Sequence, residues 1–210
     1  MIVQGQVGVI ATTASISPNT QAALRQGNMG DAILSELHGR YYETNYRRAL
    51  FGGAIVGQVT TVGLATTYTG LCLSNPVGST VNVVITKCAY SFIVAFAAGA
   101  FIGLMTGYNS STNVTHTTPV TPRSQFFGVG ASGTALLDSA ATLPTAPTVS
   151  IIFDSGLTGA ITTSPNGVSK VIDLEGSIIL PAGAYCAFYT STASGAAGGA
   201  FSFQYEEVPV

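Results

Sequence analysis

The chain has 210 residues, of which only 8% are Asp, Glu, Lys or Arg, and its formal net charge is −2. Since about 25% charged residues is usual for a soluble domain, Ser, Thr, Gly, Asn and Gln must supply the polar surface. The two lysines, Lys87 and Lys170, argue against nucleic-acid binding, because phosphate neutralisation needs clustered basic residues. The composition suits a protein in permanent contact with neighbouring molecules. The alternative is a secreted or surface domain with a neutral coat.

Residues 1–30 are predicted to form an extended amino-terminal arm. They are rich in Gln, Thr and Gly, contain Pro18, and show neither a helical nor a strand period. Segments of this kind are often disordered alone and become ordered on a partner. We therefore expect the arm to take its structure from a neighbouring molecule.

Residues 31–48 are predicted to contain a short helix followed by a docking segment. Asn28 or Asp31 can cap a helix that starts at residue 32, and Gly39 would end it. Further along, Glu43 and Arg47 have the i,i+4 order that supports a helix. This stretch also concentrates charge, since residues 25–48 hold seven of the sixteen charged residues.

The best functional candidates lie in this charged stretch, because Arg and Tyr are the residue types that most often anchor interfaces. We call them the docking segment and assign them to partner binding: Arg40, Tyr41, Tyr42, Tyr46, Arg47 and Arg48. The alternative is an intramolecular clasp, in which the arginines pair with Glu36 and Glu43 and the tyrosines cover one end of the β domain.

Residues 49–210 are predicted to form one all-β domain, a β-sandwich or jelly roll. Runs rich in Val, Ile, Thr and aromatic residues recur at roughly 8–12-residue spacing between turn signals. The predicted strands cover residues 59–66, 70–73, 81–87, 89–95, 100–106, 124–129, 148–153, 160–163, 170–174, 177–180, 185–189 and 200–206.

The segments between these runs are predicted to be turns and loops. Residues 75–78 (NPVG) are typical of a turn, and Asn166-Gly167 is the strongest hairpin signal. Residues 107–122 are predicted to be a polar loop. The nearly continuous apolar run at 81–86 is typical of a strand buried on both faces.

Residues 89–105 carry no charge and are almost long enough for a membrane-spanning helix. However, Gly99 and Gly103 interrupt the segment, and no basic residue follows it until Arg123. We therefore predict two buried strands joined near residues 97–99, and no membrane partner.

The three cysteines, Cys72, Cys88 and Cys186, have apolar or small neighbours and form no C-x-x-C pair. An odd number of cysteines cannot form a closed set of disulfides, so buried free thiols are the prediction.

The stretch from Gly128 to Gly133 matches the G-x-G-x-x-G fingerprint of dinucleotide sites, and Asp154 lies about where a ribose-binding acid would fall. The context opposes that interpretation, because the following segment has room for only about ten helical residues before Pro144 and no other βαβ unit is predicted. A glycine-rich turn is preferred, a dinucleotide-binding enzyme is the least favoured hypothesis, and no cofactor is expected.

Catalytic and metal sites are poorly supported by the sequence. His116 lies in a Thr-rich loop with no acid near it in the sequence, and His38 lies in the charged stretch. There is no G-x-S-x-G elbow and no metal-ligand spacing, although a triad could still assemble in space. The paired acids Glu206 and Glu207 point to opposite sides of a strand. The protein is therefore predicted not to be an enzyme.

A further pattern lies in six short stretches of the chain: residues 33–43 (ILSELHGRYYE), 46–47 (YR), 73–79 (LSNPVGS), 173–176 (DLEG), 179–183 (ILPAG) and 205–209 (YEEVP). With these stretches the chain resembles small virion proteins of tailed phages that are often encoded near the capsid genes. The resemblance implies a jelly-roll-like cement or decoration protein on the capsid surface. Its partners would be the major capsid protein and its own copies, often as a trimer, and no catalytic residues come with it. The alternative is a phage fibre or tail module whose polar loops, 107–122 and 191–199, touch a host ligand.

Overall fold

The computed structural model describes residues 40–94, 96, 98–128, 133–156, 168–194 and 197–210. These residues form an all-β sandwich with one short helix, which confirms the predicted fold class. Four predicted features lie outside the described residues: the arm at 1–30, the helix at 32–37, the strand at 160–163 and the Asn166-Gly167 hairpin.

The described residues form one helix and twelve strands. In chain order these are α1 Tyr42–Tyr46, β1 Leu50–Gln58, β2 Thr67–Ser74, β3 Val81–Phe92, β4 Ala100–Tyr108, β5 Thr115–His116, β6 Pro119–Val120, β7 Arg123–Ser124, β8 Leu136–Thr142, β9 Thr148–Gly156, β10 Val168–Leu180, β11 Ala184–Thr190 and β12 Gly199–Pro209.

Two antiparallel sheets make up the sandwich. The first has the strand order β10-β3-β12-β1-β7, and the second has the order β5-β8-β2-β11-β4-β9, with β6 also paired to β8. The long strands change sheets repeatedly along the chain, since β1, β3, β10 and β12 belong to the first sheet and β2, β4, β9 and β11 to the second. Neighbouring strands therefore come mostly from distant parts of the sequence.

Aromatic side chains join the two sheets. Phe188 of β11 is fully buried, and its ring centroid lies 4.7 Å from that of Phe201 and 4.8 Å from that of Phe203, both on β12. Phe92 of β3 adds an edge-on contact with Phe201 at 5.4 Å. Burying aromatic rings of this size is the largest single contribution that side chains make to a core.

The central strands of the second sheet are buried on both faces. Its outer face carries a separate apolar cluster that includes Tyr68, Tyr185 and Met105, and Val114 from the 107–122 segment packs onto it. Tyr68 donates a buried hydrogen bond of 2.8 Å to the carbonyl oxygen of Phe188. The 107–122 segment thus covers this sheet and contributes β5 and β6 to it, so the prediction of a plain polar loop is wrong.

Strand β3 does not have the double burial predicted for residues 81–86. Its buried residues largely alternate with half-buried ones, so one face packs on the core and the other is partly open to solvent. Strand β11 fits the doubly buried pattern better, because nearly all of its residues are buried. It lies at the centre of the second sheet, beneath the outer cluster.

The three cysteines are buried and free, as predicted. Burial raises the pKa of the Cys88 thiol from 9.0 to about 12, and burial raises the pKa of Cys72 and Cys186 further. These thiols therefore stay protonated and behave as small apolar side chains.

Residues 89–105 contain two strand segments, as predicted: β3 ends at Phe92, and β4 begins at Ala100. The two strands belong to different sheets, so the segment between them crosses from one layer to the other. None of the described residues forms a helix long and apolar enough to cross a membrane.

Several predicted strand boundaries are wrong. Residues 59–66 connect β1 to β2 instead of forming a strand, because Gly63 adopts a φ of 57° and donates its N–H to Thr190. Among the described residues of the predicted strand at 124–129, which end at Gly128, only Ser124 is in a strand, and a turn follows in which Gly128 has a φ of 89°.

Two predicted breaks are absent. Strand β3 continues through Cys88, which joins the runs predicted at 81–87 and 89–95. Strand β10 likewise joins the runs at 170–174 and 177–180. It does so through a bulge at Glu175 and Gly176, whose φ angles are 51° and 81°. Such bulges keep a long strand paired while changing its local twist.

We expect Phe188→Ala to lower the free energy of unfolding by about 3–5 kcal/mol, because it removes the ring that packs between Phe201 and Phe203. Urea unfolding of both proteins measures the difference. The matched control is Phe127→Ala, whose ring is 86% exposed and whose loss should change stability by less than about 0.5 kcal/mol. Equal effects of the two substitutions would contradict the assignment of Phe188 to the core.

Candidate functional site

The six docking-segment residues fall in two compact units of the chain, Met1–Tyr42 and Glu43–Val210. In the first unit, the Arg40 guanidinium lies over the Tyr41 ring, 5.6 Å from its centroid, which is cation–π distance. Tyr42 is exposed. In the second unit, Tyr46, Arg47 and Arg48 are exposed.

The end of helix α1 fixes the backbone of the second part of the docking segment. Arg48 donates its N–H to the Asn45 carbonyl at 2.9 Å, and Ala49 donates to the Thr44 carbonyl at 3.0 Å. This pair of bonds is the Schellman motif, in which Arg48 occupies the C′ position that glycine usually takes. The side chain of Asn45 anchors the turn by donating to the Gln125 carbonyl at 3.1 Å.

Arg48 pays a conformational penalty at this position. Its φ is 59°, in the left-handed region that disfavours residues with a Cβ. A residue held in such a conformation motivates a functional hypothesis. Our hypothesis is that arginine is retained at this position because its exposed guanidinium binds a partner. The clasp alternative involves Glu36 and the Glu43 side chain, which lie outside the described residues.

The glycine-rich stretch does not open a helix. Residues 129–132 lie outside the described part of the chain, but the segment that follows forms strand β8 of the second sheet. A dinucleotide site needs a strand–turn–helix unit, so that its pyrophosphate meets the helix amino terminus. The strand at Leu136–Thr142 therefore argues against the dinucleotide hypothesis.

A second cluster, Ser74, His116 and Asp138, was not predicted from the sequence. Ser74 ends β2, His116 ends β5, and Asp138 lies on β8, which pairs with both of those strands. The Oγ of Ser74 lies 3.3 Å from Nε2 of His116, and Nδ1 of His116 lies 3.2 Å from Oδ2 of Asp138. No acid lies near His116 along the sequence, but Asp138 lies beside it in the folded chain. The expectation that His116 has no acid nearby is therefore wrong.

Asp138 is completely buried, and the backbone around it fixes its carboxylate. Its Oδ1 accepts hydrogen bonds from the N–H groups of Thr118 (3.0 Å) and Ala140 (2.7 Å). Its Oδ2 has no well-aligned hydrogen bond, and Nδ1 of His116 also has none, so the contact between these two atoms is a close electrostatic one. A buried carboxylate without compensation would be costly, so the imidazole is an important neighbour.

A cavity of about 180 Å³ opens beside this cluster. Ser74 and His116 line it, together with Asn75 and Asn113 and with the apolar side chains of Pro76, Val114 and Leu136. Asn75 is buried and uses its Nδ2 for the carbonyls of Val81 and Leu180, whereas its Oδ1 has no hydrogen-bond partner. Asn75 therefore ties the backbone at this end of β2 to that of Val81 and Leu180, and its buried oxygen remains without a protein partner.

One sequence signal pointed to this cluster. Asp138 is a lone acid within the run Leu136-Leu137-Asp138-Ser139-Ala140-Ala141, and a charged residue in a buried strand needs a partner. Its partner could not be chosen without the strand pairing, because His116 and Ser74 lie in separate strands.

Comparison of the chain with protein-family models, with curated proteins and with solved structures gave no match in any of the three. The function is therefore argued from the surface, the fold and the geometry of these two sites.

We expect Arg48→Gly to raise the free energy of unfolding by roughly 0.5–1 kcal/mol, because glycine adopts a positive φ without the steric penalty. The matched control is Arg47→Gly one residue earlier, where φ is not positive. There, glycine should lower stability by a similar amount of about 0.5–1 kcal/mol. Thermal or urea unfolding of the two variants checks the opposite signs. Destabilisation by Arg48→Gly would contradict the strain assigned to this position.

Proposed function

We propose that the protein is a virion structural protein, a capsid cement or decoration protein that binds the outside of the major capsid lattice. The observation that carries this proposal is the pair of long edge strands at one side of the sandwich. Several of their apolar side chains are exposed, and no strand among the described residues pairs with their outer sides. These surfaces suit mechanical work between neighbouring subunits, which requires no catalytic residue.

Within the described residues, β9 pairs only with β4 and β10 only with β3. A salt bridge of 3.0 Å between Lys170 of β10 and Asp154 of β9 holds the two edges side by side. Long, unprotected edge strands act as templates for pairing with another chain unless they are short, charged or covered. On β10, Lys170 and the bulge at Glu175 and Gly176 protect part of the edge, but Val171 is 75% exposed and Ile179 is 55% exposed, so apolar surface beside this edge is open to solvent.

The strand order supports the jelly-roll part of the proposal. With β8 set aside as an addition beside β2, eight long strands divide four and four between the sheets, in the orders β10-β3-β12-β1 and β2-β11-β4-β9. The chain changes layers at each step among these eight except from β4 to β9, an arrangement that matches two interleaved Greek keys. Jelly rolls are common in viral capsid and lectin domains. Because one fold can host many functions, this order supports the proposal without carrying it alone.

The low charge of the chain supports the same conclusion. Copies with a net charge of −2 repel each other little at close range, so close packing on a lattice costs little. The exposed Tyr46, Arg47 and Arg48 supply the residue types that anchor interfaces. Partners would be the major capsid protein and further copies of this chain, and binding only the assembled shell would stabilise it by mass action.

The fibre or tail alternative receives less support from the loops. The 107–122 segment packs onto the second sheet through buried Val114, so it does not project freely toward a host ligand.

Phage particles that lack this protein should release their genome at a lower temperature than complete particles, and adding the purified protein back should restore the resistance. The physical reason is that a ligand specific for the assembled shell raises the free energy of disassembly. A dye that fluoresces on released DNA measures the transition. Equal heat resistance of particles with and without the protein would contradict the cement role.

Lysine substitutions on the β10 edge should weaken binding to protein-deficient particles. The double variant Val171→Lys/Ile179→Lys places charge on the exposed apolar surface, and we expect affinity to fall by about tenfold or more, the effect of losing an interface anchor. The control is Val56→Lys, which changes a side chain of β1 that is 78% exposed and lies away from this edge. Co-sedimentation measures the affinity of the unmodified protein, the double variant and the control for the particles. Equal affinities would show that docking does not use this edge.

A further inference from the structure

We propose that Ser74, His116 and Asp138 form a nucleophilic acyl-transfer site that accepts small carboxylic esters. This activity is additional to the structural role and does not depend on it. The arrangement follows the order of a serine–histidine–acid triad, which is recognised by geometry and roles and not by sequence position.

The first requirement is a hydroxyl within reach of a base. The Oγ of Ser74 lies 3.3 Å from Nε2 of His116. Nucleophile–base distances are often slightly long before substrate binds and tighten in the complex. The competing acceptor for the Ser74 hydroxyl is the Leu136 carbonyl, at 3.5 Å, so the imidazole is the nearer of the two.

The second requirement is a group that orients the base. The backbone donors from Thr118 and Ala140 occupy Oδ1 of Asp138 and leave Oδ2 at 3.2 Å from Nδ1 of His116, a close electrostatic contact that lacks hydrogen-bond alignment. A carboxylate there favours the tautomer that carries its proton on Nδ1, and Nε2 is then free to accept the proton of Ser74. Asp138 acts through His116 and is therefore a positioning residue.

The third requirement is a space for substrate at the nucleophile. The cavity of about 180 Å³ is lined by both Ser74 and His116, and it has room for a small acyl group. Asn113 lines the cavity, and because its Oδ1 already accepts the N–H of Val77, its amide N–H groups are the polar groups that it can offer a ligand. Apolar walls from Pro76, Val114 and Leu136 suit a neutral ester.

The reaction balances without any cofactor. Ser74 Oγ attacks the ester carbonyl carbon while its proton passes to Nε2 of His116. The bond between the carbonyl carbon and the ester oxygen then breaks, and the leaving alcohol takes the proton from His116. Water next attacks the acyl group on Ser74 and gives its proton to His116. Release of the carboxylic acid returns that proton to Oγ of Ser74.

A purely structural network would not react in this way. In that case Asp138 only ties the 107–122 segment to β8, His116 fills space, and Ser74 has the reactivity of any other buried hydroxyl. Covalent trapping separates the two cases, because an organic fluorophosphate phosphorylates an activated serine, with loss of fluoride and the hydroxyl proton, and leaves ordinary serines unmodified.

The test is incubation of the full chain with diisopropyl fluorophosphate, followed by intact mass and peptide mapping. We expect a single adduct, on Ser74, formed as the phosphorus–oxygen bond replaces the phosphorus–fluoride bond. His116→Gln should slow labelling by roughly 10²–10⁴-fold, the usual contribution of a general base. Ser194→Ala is the matched control. It removes another buried serine hydroxyl, one that accepts the N–H of Thr60, and should leave labelling unchanged.

Asp138→Asn tests the positioning role. The amide can keep the two backbone hydrogen bonds at Oδ1, so unfolding temperature should change little while labelling slows. The ¹⁵N shifts of the His116 ring should show its proton on Nδ1 in the native protein and a shifted tautomer in the variant. Absence of an adduct on Ser74 in the native protein, or labelling that His116→Gln leaves unchanged, would overturn the proposal. Neither outcome bears on capsid binding, which particle heat resistance measures separately.

Discussion

The contact of Phe188 with Phe201 and Phe203 is the interaction on which the rest of the structure depends. These rings come from β11 and β12, the strands at the centres of the two sheets, so their packing joins the layers. β11 in turn pairs with β2 and β4, while β12 pairs with β1 and β3. The central contact therefore holds the two layers together, and strand pairing from β11 and β12 then places the edge strands and the end of β2.

The two proposed functions involve opposite edges of the second sheet. The cavity beside Ser74 lies where β2, β5 and β8 meet, whereas β9 is the strand at the other edge. Docking through β9 and β10 would thus leave the cavity open. The two places also differ in chemistry: the edge offers apolar side chains, whereas the cavity is lined by Ser74 and His116, with the buried Asp138 next to His116.

Local sequence predicted the fold class but not the site. Strands such as β4 and β11 are rich in β-branched and aromatic residues, and their positions were predicted well. Strand β8 was missed, because its Ala, Ser and Asp have low strand propensity and it follows a glycine-rich turn. The Ser74–His116–Asp138 cluster depends on the pairing of β8 with β2 and β5, which is long-range information. The strain at Arg48 was also invisible, since nothing in the sequence marks a C′ position filled by arginine.

In the proposed role, this chain works as one component of a capsid lattice. Imaging of purified phage particles by electron cryomicroscopy, with quantitative mass spectrometry of the same sample, tests it most directly. The proposed role predicts ordered density for the sandwich on the outer face of the shell, with a copy number comparable to that of the major capsid protein and β9 or β10 at a subunit contact. A few copies confined to the tail or fibres, or no copies in the particle, would contradict it.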